Sequence, residues 1–293
     1  MKPSRRDFFL AGTCAVAGIY GLRTSESPAQ ETAQNASALE LGLASYTFRE
    51  FNRADCIAMA KRLTLRKMCF KSMHLEMDST DEQCRRAAEE CQRAGIDLYG
   101  CGVCYMNSDA EVVNTFRYAK AAGMRVIVGV PRHELLPLVE EQVKETGILV
   151  AIHNHGPGDR LYPTSTAIME KVENLDKRIG VCLDVGHTVR LGLDPVEAIF
   201  ECGDRLHDIH LKDQSEAAEQ SQTLVCGHGI IDFPAIIRAL LQINYQGVVG
   251  FEYEAEGKDP LAGLAESVGF IRGVIKTIAN TRRTQRPRPT SRG

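Results

Sequence analysis

The most informative residues of the chain are histidines and carboxylates that follow short apolar runs. The run 179–183 leads into Asp184, and His187 follows three residues later. An apolar run of this kind predicts a fully buried parallel strand. Folds of the α/β class place their chemistry at the carboxyl ends of such strands, so Asp184 and His187 are candidates for an active site. A capping aspartate and a surface histidine in a turn are the alternative.

The same pattern recurs at four other strand-like runs. Lys71, His74 and Glu76 follow the second run, His153 and His155 the fifth, His210 and Lys212 lie in the seventh, and Glu252 and Glu254 end the eighth. Strand alternation puts residues i and i+2 on one face, so each of the last three pairs can point inward together. Buried polar groups need partners, and one divalent metal satisfies several of them at once.

The donor types narrow the choice of metal. Two imidazoles and two carboxylates suit Mn²⁺, Zn²⁺, Fe²⁺ or Co²⁺ better than Ca²⁺ or Mg²⁺. We therefore predict a divalent transition-metal cofactor, without a preference among these four ions.

Alternating strands and helices must position these residues. Strands are predicted at 41–46, 67–71, 96–100, 124–130, 148–152, 179–183, 206–211 and 247–251, each followed by a helical pattern. No Gly-rich phosphate fingerprint follows the first strand. Eight such units predict an α/β fold, a (β/α)8 TIM barrel forming a single domain over residues 40–280. A doubly wound sheet is the competing architecture.

Four motifs carry a family resemblance: Leu-Asp-Val-Gly-His ending at His187, His-Leu-Lys-Asp starting at His210, Gly-His-Gly-Ile-Ile-Asp-Phe from Gly227, and Gly-Val-Val-Gly-Phe-Glu-Tyr from Gly247. Over residues 40–278 the chain resembles the sugar phosphate isomerase/epimerase family, which consists of xylose isomerase-like TIM barrels. The motifs are specific for the superfamily and say little about the substrate.

The resemblance implies a set of metal ligands. Asp184, His210 and Glu252 would bind the metal from strands six, seven and eight. The fourth ligand in the family is usually a glutamate at the end of strand five, where this chain has His153. In the family's sugar epimerases the carboxylates of strands five and eight exchange the carbon-bound proton, so the departure questions a two-carboxylate epimerisation. His153 can still bind the metal, and His153 or His155 can act as base.

The expected activity is a metal-dependent sugar isomerase or epimerase that abstracts a proton next to a sugar carbonyl through an enediolate. Glu252, His153 or His155 would move the proton, and Lys212 would neutralise a carboxylate or the developing oxyanion. His74, His187 and Lys71 are predicted to contact the substrate. An ion pair of Lys212 with Asp208 or Asp213, and a packed loop position for His74, are the structural alternatives.

Three other functions fit parts of the pattern. A lyase or hydratase acting on an oxidised keto sugar would use the same metal site. A phosphodiesterase like the apurinic endonuclease branch of the superfamily would add ligands such as His74, His187 and His228. A noncatalytic sugar-binding barrel would need no metal chemistry.

Composition limits the partners. The chain has 35 basic and 38 acidic residues in 293, with a net charge of −3, so no basic surplus favours nucleic acid. Trp is absent, which excludes an indole platform for sugars, and no apolar span is long enough for a transmembrane helix in the mature chain. We expect a small sugar or keto-sugar substrate, no nucleic acid and no membrane contact after signal removal. Homo-oligomerisation is left open.

The ends of the chain are expected to lie outside the barrel. Arg5-Arg6 followed by Phe8-Phe9 and an apolar stretch predicts a twin-arginine export signal over residues 1–29, and hence a periplasmic location. Residues 30–39 are predicted to be a linker, and 281–293 a basic disordered tail.

Several of the ten cysteines, such as Cys69 and Cys182, lie in apolar runs and are expected to be buried thiols rather than disulfides. Cys101 and Cys104 have the spacing of a metal or redox pair. Because a regular strand places residues i and i+3 on opposite faces, we predict neither role for them.

Overall fold

The computed structural model describes residues 39–284. The predicted export signal, almost all of the predicted linker and the tail from residue 285 lie outside the described residues. The first strand of the barrel begins at Glu40, and the last helix continues to Thr284. The helix extends because no proline or glycine interrupts the sequence between 274 and 286, and Pro287 is the next residue that cannot continue a helix.

The strands form a closed parallel barrel. In chain order they are β1 (Glu40–Ala44), β2 (Lys67–Phe70), β3 (Asp97–Met106), β4 (Val126–Pro131), β5 (Leu149–His153), β6 (Ile179–Asp184), β7 (Leu206–Leu211), β8 (Asp213–Gln214), β9 (Thr223–Leu224) and β10 (Val248–Phe251). The barrel order is β1-β10-β7-β6-β5-β4-β3-β2, and β8 and β9 form a separate hairpin. Leu43 pairs with both Met68 and Phe251, which closes the ring. The TIM-barrel prediction is confirmed, and the doubly wound alternative was wrong.

Helices surround the barrel and begin at residues that cap them. They are α1 (Arg53–Arg62), α2 (Asp81–Arg93), α3 (Asp109–Ala121), α4 (Leu136–Thr146), α5 (Ser165–Val172), α6 (Val185–Arg190), α7 (Pro195–Cys202), α8 (Phe233–Gln242) and α9 (Leu261–Thr284). Thr80 and Gln83 form a capping box at α2, and Asp194 caps α7 ahead of Pro195. Across residues 39–284, no helix is both long and apolar enough to cross a bilayer.

The barrel interior is filled below the strand ends. Cys69, Tyr99, Val128, Ala151 and Cys182 pack there with at most 2% exposure. Tyr99 donates a hydrogen bond of 2.9 Å to the buried carboxylate of Asp208. Because side chains fill the centre, a ligand must enter at an end of the barrel, and in TIM barrels chemistry occurs at the carboxyl ends of the strands.

The third strand departs from the prediction. It runs over Asp97–Met106 rather than 96–100, and its pairing with β4 shifts between Cys101 and Cys104. This irregularity breaks strict alternation, so both thiols lie buried in the core and close enough to interact electrostatically. The expectation that they face opposite ways was therefore wrong. All nine cysteines within the described range are buried and free, and among them Cys69 and Cys182 were predicted to be so.

Asp97 links two cations at the amino end of the barrel. Its carboxylate lies 3.0 Å from Lys67 Nζ and 2.7 Å from Arg125 Nη2. Burial raises the pKa of Asp97, but hydrogen bonds from Arg125 and Lys67 outweigh it and lower the pKa overall. A carboxylate with a lowered folded pKa stabilises the fold above its unfolded pKa of about 4, and this contribution is lost as the pH falls through the folded value.

We therefore expect Asp97→Asn to reduce the free energy of unfolding more at about pH 6 than at about pH 3. Urea denaturation at the two pH values measures the difference. Asp78→Asn, which changes an exposed aspartate, is the matched control and should show little dependence on pH. An equal effect of Asp97→Asn at both pH values would contradict the proposed role of the ion pairs.

Candidate metal centre

Four predicted ligands converge at the carboxyl ends of neighbouring strands. His153 ends β5, Asp184 ends β6, His210 lies in β7 and Glu252 follows β10. His153 Nε2 lies 3.2 Å from His210 Nδ1 and 3.6 Å from Asp184 Oδ2, and His210 Nδ1 lies 3.3 Å from Glu252 Oε2. All four atoms lie within 4.8 Å of one another, and the side chains are buried. We call these residues the four-donor set.

The spacing of the four-donor set fits a transition metal. Zinc-to-ligand bonds of about 2.1 Å in a tetrahedral site place the ligand atoms about 3.4 Å apart. The observed separations of 3.2–3.6 Å match this value. Asp184 Oδ2 is buried and makes no hydrogen bond, and its neighbours are Lys212 Nζ at 2.9 Å and His153 Nε2 at 3.6 Å, so this carboxylate oxygen keeps lone pairs for a cation in the set. The residues present therefore fit a divalent cation.

Lys212 lies against the same oxygens. Its ammonium is 2.9 Å from Asp184 Oδ2, 2.8 Å from Glu252 Oε2 and 3.1 Å from Glu254 Oε1, and its side chain has no solvent exposure. At these distances the ammonium forms ion pairs with all three carboxylates. Burial lowers the pKa of Lys212, but the charges of Asp184, Glu252 and Glu254 outweigh it and raise the pKa overall. Lys212 is thus a permanent cation at the site.

Lys212 pairs with none of the aspartates weighed as alternatives. The carboxylate of Asp208 faces Tyr99 in the barrel interior. Asp213 accepts hydrogen bonds from the amides of Gly227 and Gly229 at 2.8 Å each. Lys212 therefore contacts site carboxylates, as one of its predicted roles requires, and does not form the alternative ion pair with Asp208 or Asp213.

Gly186 makes room for Lys212. A Cβ atom at position 186 would lie 2.3 Å from Lys212 Cγ and 2.9 Å from Gln214 Nε2. Gly186 follows Asp184 in the first motif of the sequence, so this motif provides both a carboxylate and the space for the cation that pairs with it.

Asp213 organises the loop of the third motif. Besides the Gly227 and Gly229 amides, its carboxylate accepts from the Ile231 amide at 3.2 Å. A Cβ on Gly229 would lie 2.2 Å from Gln214 O, so the close approach requires glycine. These residues hold the loop after β9 in place, and the motif is structural in this chain.

The charges of the set determine its protonation. Burial lowers the pKa of His153 to about 3, which leaves its imidazole neutral. Burial also lowers the pKa of His210, but Glu252 raises it to about 9. Burial raises the pKa of Glu252, and the charges of Lys212 and His210 lower it well below its usual range. A metal would displace the proton of His210 and so bind more tightly at higher pH.

His155 and His187 lie at the mouth, beside the four-donor set. The ring centroids of His153 and His155 are 4.6 Å apart, and those of His153 and His187 are 5.9 Å apart. Burial lowers the pKa of both mouth histidines, that of His187 to about 4, so both are neutral at neutral pH. Arg190 contacts His187 Nδ1 at 3.1 Å and donates to Glu219 O, which links His187 to the hairpin loop.

His74 does not join the site. It is 3% exposed, and its ring nitrogens contact Ser45 Oγ at 2.8 Å and the carbonyl oxygens of Phe48 and Phe51 at 3.2 Å each. With both nitrogens used by the segment after β1, no polar atom is free for a substrate. The predicted substrate contact is therefore corrected to the structural alternative, a packed loop residue.

Two groups of site residues were missed or left open by sequence reasoning. Glu254 was given no role from sequence, but it contacts Lys212. Its position two residues after Glu252 is the sequence feature that indicates a place in the site. Tyr46 and Tyr105 line the mouth beside Lys71, but tyrosines in loops and at a strand end carry no comparable sequence signal. Lys71, predicted to contact substrate, lies between their rings.

The cavities at the amino end of the barrel do not contain the four-donor set. Two of about 920 and 710 Å³ are both lined by Glu40, Lys67 and Asp97. Lys67 pairs there with both carboxylates, at 2.8 and 3.0 Å. We therefore assign the functional site from the buried donors at the carboxyl ends rather than from cavity volume.

The family profile described as xylose isomerase-like TIM barrel matches residues 35–274. The chain is 25% identical over 157 residues to rhizopine catabolism protein MocC of Rhizobium meliloti, covering 44% of this chain and 48% of that protein. It is 27% identical over 134 residues to an inosose dehydratase of Lacticaseibacillus casei, covering 40% and 44%. The aligned stretches thus span about half the length of these relatives or less.

A solved structure supports the architecture. The 3-keto-D-glucoside 4-epimerase of E. coli superposes with a TM-score of 0.65 and 16% identity, covering 80% of this chain and 99% of that one. At this level of identity the likeness shows the fold alone.

We expect the wild-type chain to bind one divalent ion, and Glu252→Gln or His153→Gln to weaken binding at least about tenfold, since even partners of metal ligands contribute that much. Mass spectrometry of metal per chain and calorimetric titration with Mn²⁺ and Zn²⁺ provide the measurement. Circular dichroism verifies that each variant is folded.

Glu266→Gln is the matched control, because Glu266 is an exposed carboxylate that pairs only with His228 among the described residues. It should bind metal as the wild type does. Metal retained at wild-type affinity by both site variants, or not bound by the wild type, would refute the assignment.

Proposed function

The chain belongs to the xylose isomerase-like TIM barrel family, and we propose that it is a metal-dependent sugar isomerase or epimerase that removes a proton next to a carbonyl group. The observation that carries this proposal is the four-donor set with the buried ammonium of Lys212 against two of its carboxylates. With a divalent cation in the four-donor set, this arrangement would concentrate positive charge where a sugar oxygen would become negative. A bound divalent cation would polarise the carbonyl and stabilise the developing negative charge.

Two mouth residues are the best candidates for proton transfer. Glu252 is buried and has a strongly lowered pKa, which suits a ligand better than a base. His155 is neutral and partly exposed, and can accept a proton. Burial, together with the neighbouring charge of Glu252, raises the pKa of Glu254 despite Lys212, so Glu254 can carry a proton more readily than Glu252.

His155 and Glu254 flank the site from different strands. His155 follows β5 and Glu254 follows β10, with β6 and β7 between them in the barrel. One group on each side of a bound sugar could remove and return a proton. An imidazole and a carboxylate would thus replace the two carboxylates that the family resemblance implies for epimerisation, and Lys212 would neutralise the oxyanion.

A lyase acting on a keto sugar is the second candidate. Once the proton is removed, departure of a neighbouring hydroxyl needs an acid, and the raised pKa of Glu254 suits that role. Similarity to a protein named inosose dehydratase also favours this outcome. The two activities share the first step and differ in whether water is lost.

The other two functions have less support. His228 is exposed and paired with Glu266, and His74 is buried away from the four-donor set, so the extra ligands of a multi-metal phosphodiesterase are not assembled. A noncatalytic sugar-binding barrel gives no reason for a buried lysine among three carboxylates.

We expect the metal-loaded chain to incorporate solvent deuterium next to the carbonyl of at least one of D-fructose, L-ribulose and 2-keto-myo-inositol. NMR in D₂O follows the exchange and identifies the product. An isomer without loss of water supports the isomerase or epimerase, and an unsaturated product supports the lyase. Absence of exchange into all three sugars, and also into the anionic keto sugars D-fructose 6-phosphate and 5-keto-D-gluconate, contradicts the proposal.

His155→Gln and Glu254→Gln are each expected to lower the exchange rate about 100-fold or more, because general acid–base groups contribute at least that factor. Metal affinity should remain within a few-fold of wild type, since neither residue belongs to the four-donor set. Glu256→Gln, two residues beyond Glu254, is the matched control and should exchange at the wild-type rate. If His155→Gln and Glu254→Gln exchange as fast as this control, the proton-transfer assignment fails.

A further inference from the structure

We propose that Tyr46, Lys71 and Tyr105 form a subsite for an anionic group on the sugar, which makes the substrate an acidic or phosphorylated carbohydrate. This inference rests on the proposed function, because it names the substrate class for the same mouth. We call the three residues the tyrosine–lysine subsite. They come from three adjacent parts of the barrel, following β1, following β2 and near the end of β3.

Lys71 is held at a fixed place between two aromatic rings. Its ammonium lies 5.9 Å from the Tyr46 ring centroid and 5.7 Å from that of Tyr105. It donates one hydrogen bond of 2.9 Å to Val103 O. An ammonium has three donors, so two remain for a ligand.

The cation of the tyrosine–lysine subsite has no carboxylate partner of its own, although the charge of Asp159, which lies 3.4 Å from His155 Nδ1, reaches Tyr105. Within residues 39–284, neither Lys71 nor Arg49 forms an ion pair with a carboxylate. Arg49 instead lies 5.1 Å from the Tyr46 ring centroid and donates to Glu254 O at 2.9 Å. Lys212, on the other side of the mouth, has three carboxylate neighbours. Lys71, on one side of the mouth, thus forms no ion pair among the described residues, whereas Lys212, on the other side, forms three.

The subsite lies within reach of a sugar bound at the four-donor set. Tyr105 stacks on His155 with ring centroids 5.8 Å apart, and its hydroxyl lies 3.2 Å from His155 Nε2. His155 in turn lies next to His153. Tyr105 is 54% exposed, so its ring offers an open apolar surface to a ligand.

This geometry predicts an orientation for the substrate. A carboxylate or phosphate is attracted to Lys71 and repelled by Glu254 and the carboxylates around Lys212. The anionic end would therefore lie over the tyrosine–lysine subsite, and the carbonyl end over the four-donor set. A sugar carboxylate and a sugar phosphate share this chemistry, and binding measurements distinguish them.

The test compares three sugars that differ at one carbon. D-glucuronate, D-glucose 6-phosphate and D-glucose are titrated calorimetrically into the full chain as purified and after treatment with EDTA. At least one anion should bind about tenfold more tightly than D-glucose, since a hydrogen bond to a charged group contributes that much. The tighter anion identifies the source of the charge. Equal affinities for all three sugars would overturn the proposal.

Lys71→Gln should abolish the preference for the anion over D-glucose, because the charge is removed. Lys61→Gln, which removes an exposed lysine near the end of α1, is the matched control and should keep the preference. Tyr105→Phe should keep it as well, whereas Tyr105→Ala should weaken binding of all three sugars. An anion preference that survives Lys71→Gln would overturn the assignment.

The result is separable from that of the proposed function. Binding after EDTA treatment does not require the metal or turnover, whereas deuterium exchange requires both. A preference that depends on Lys71 without any exchange would support the subsite and count against the reaction. Exchange without an anion preference would support the reaction and count against the subsite.

Discussion

The buried ammonium of Lys212 is the constraint on which the site depends. A charge removed from water is costly unless other charges compensate for it, and here Asp184, Glu252 and Glu254 lie within 3.1 Å. Three carboxylates exceed one lysine, so the cluster attracts further positive charge. In the metal-free chain the proton on His210 supplies part of it, and a divalent cation in the four-donor set would supply more. Lys212 also requires Gly186, whose missing Cβ leaves space for its stem. The motifs of strands six, seven and eight are therefore parts of one electrostatic arrangement.

The fold could be predicted from sequence because it follows from periodic patterns, whereas the candidate ligands were proposed from their strand-end positions together with the family resemblance. Alternating apolar runs and capped helices indicate eight strand–helix units, and parallel strands bring their carboxyl ends together. Asp184, His210 and Glu252 each lie at such an end, so their convergence follows from the topology. Strand alternation predicted that His153 and His155, and Glu252 and Glu254, would face the same side, and each pair lies at the mouth although His155, Glu252 and Glu254 lie beyond the ends of their strands.

Other features depend on tertiary contacts that no local pattern reveals. His74 looked like a site residue, but the segment after β1 folds back and occupies both of its ring nitrogens. Cys101 and Cys104 share one core cluster because β3 is irregular between them. The partners of Lys212 could not be chosen from sequence, since Asp208, Asp213 and Glu254 all lie near its strand end. The structure shows which of the three contacts Lys212: Asp208 accepts from Tyr99, Asp213 accepts from loop amides, and Glu254 contacts the ammonium.

The central claim is that these four side chains bind one divalent cation without rearrangement. A crystal structure of the full chain grown with Mn²⁺, with anomalous diffraction data, tests it most directly. We predict one strong anomalous peak within about 2.0–2.3 Å of His153 Nε2, Asp184 Oδ2, His210 Nδ1 and Glu252 Oε2, with Lys212 still beside the two carboxylates. No peak inside the four-donor set, or a peak that lacks two or more of these ligands, would contradict the account.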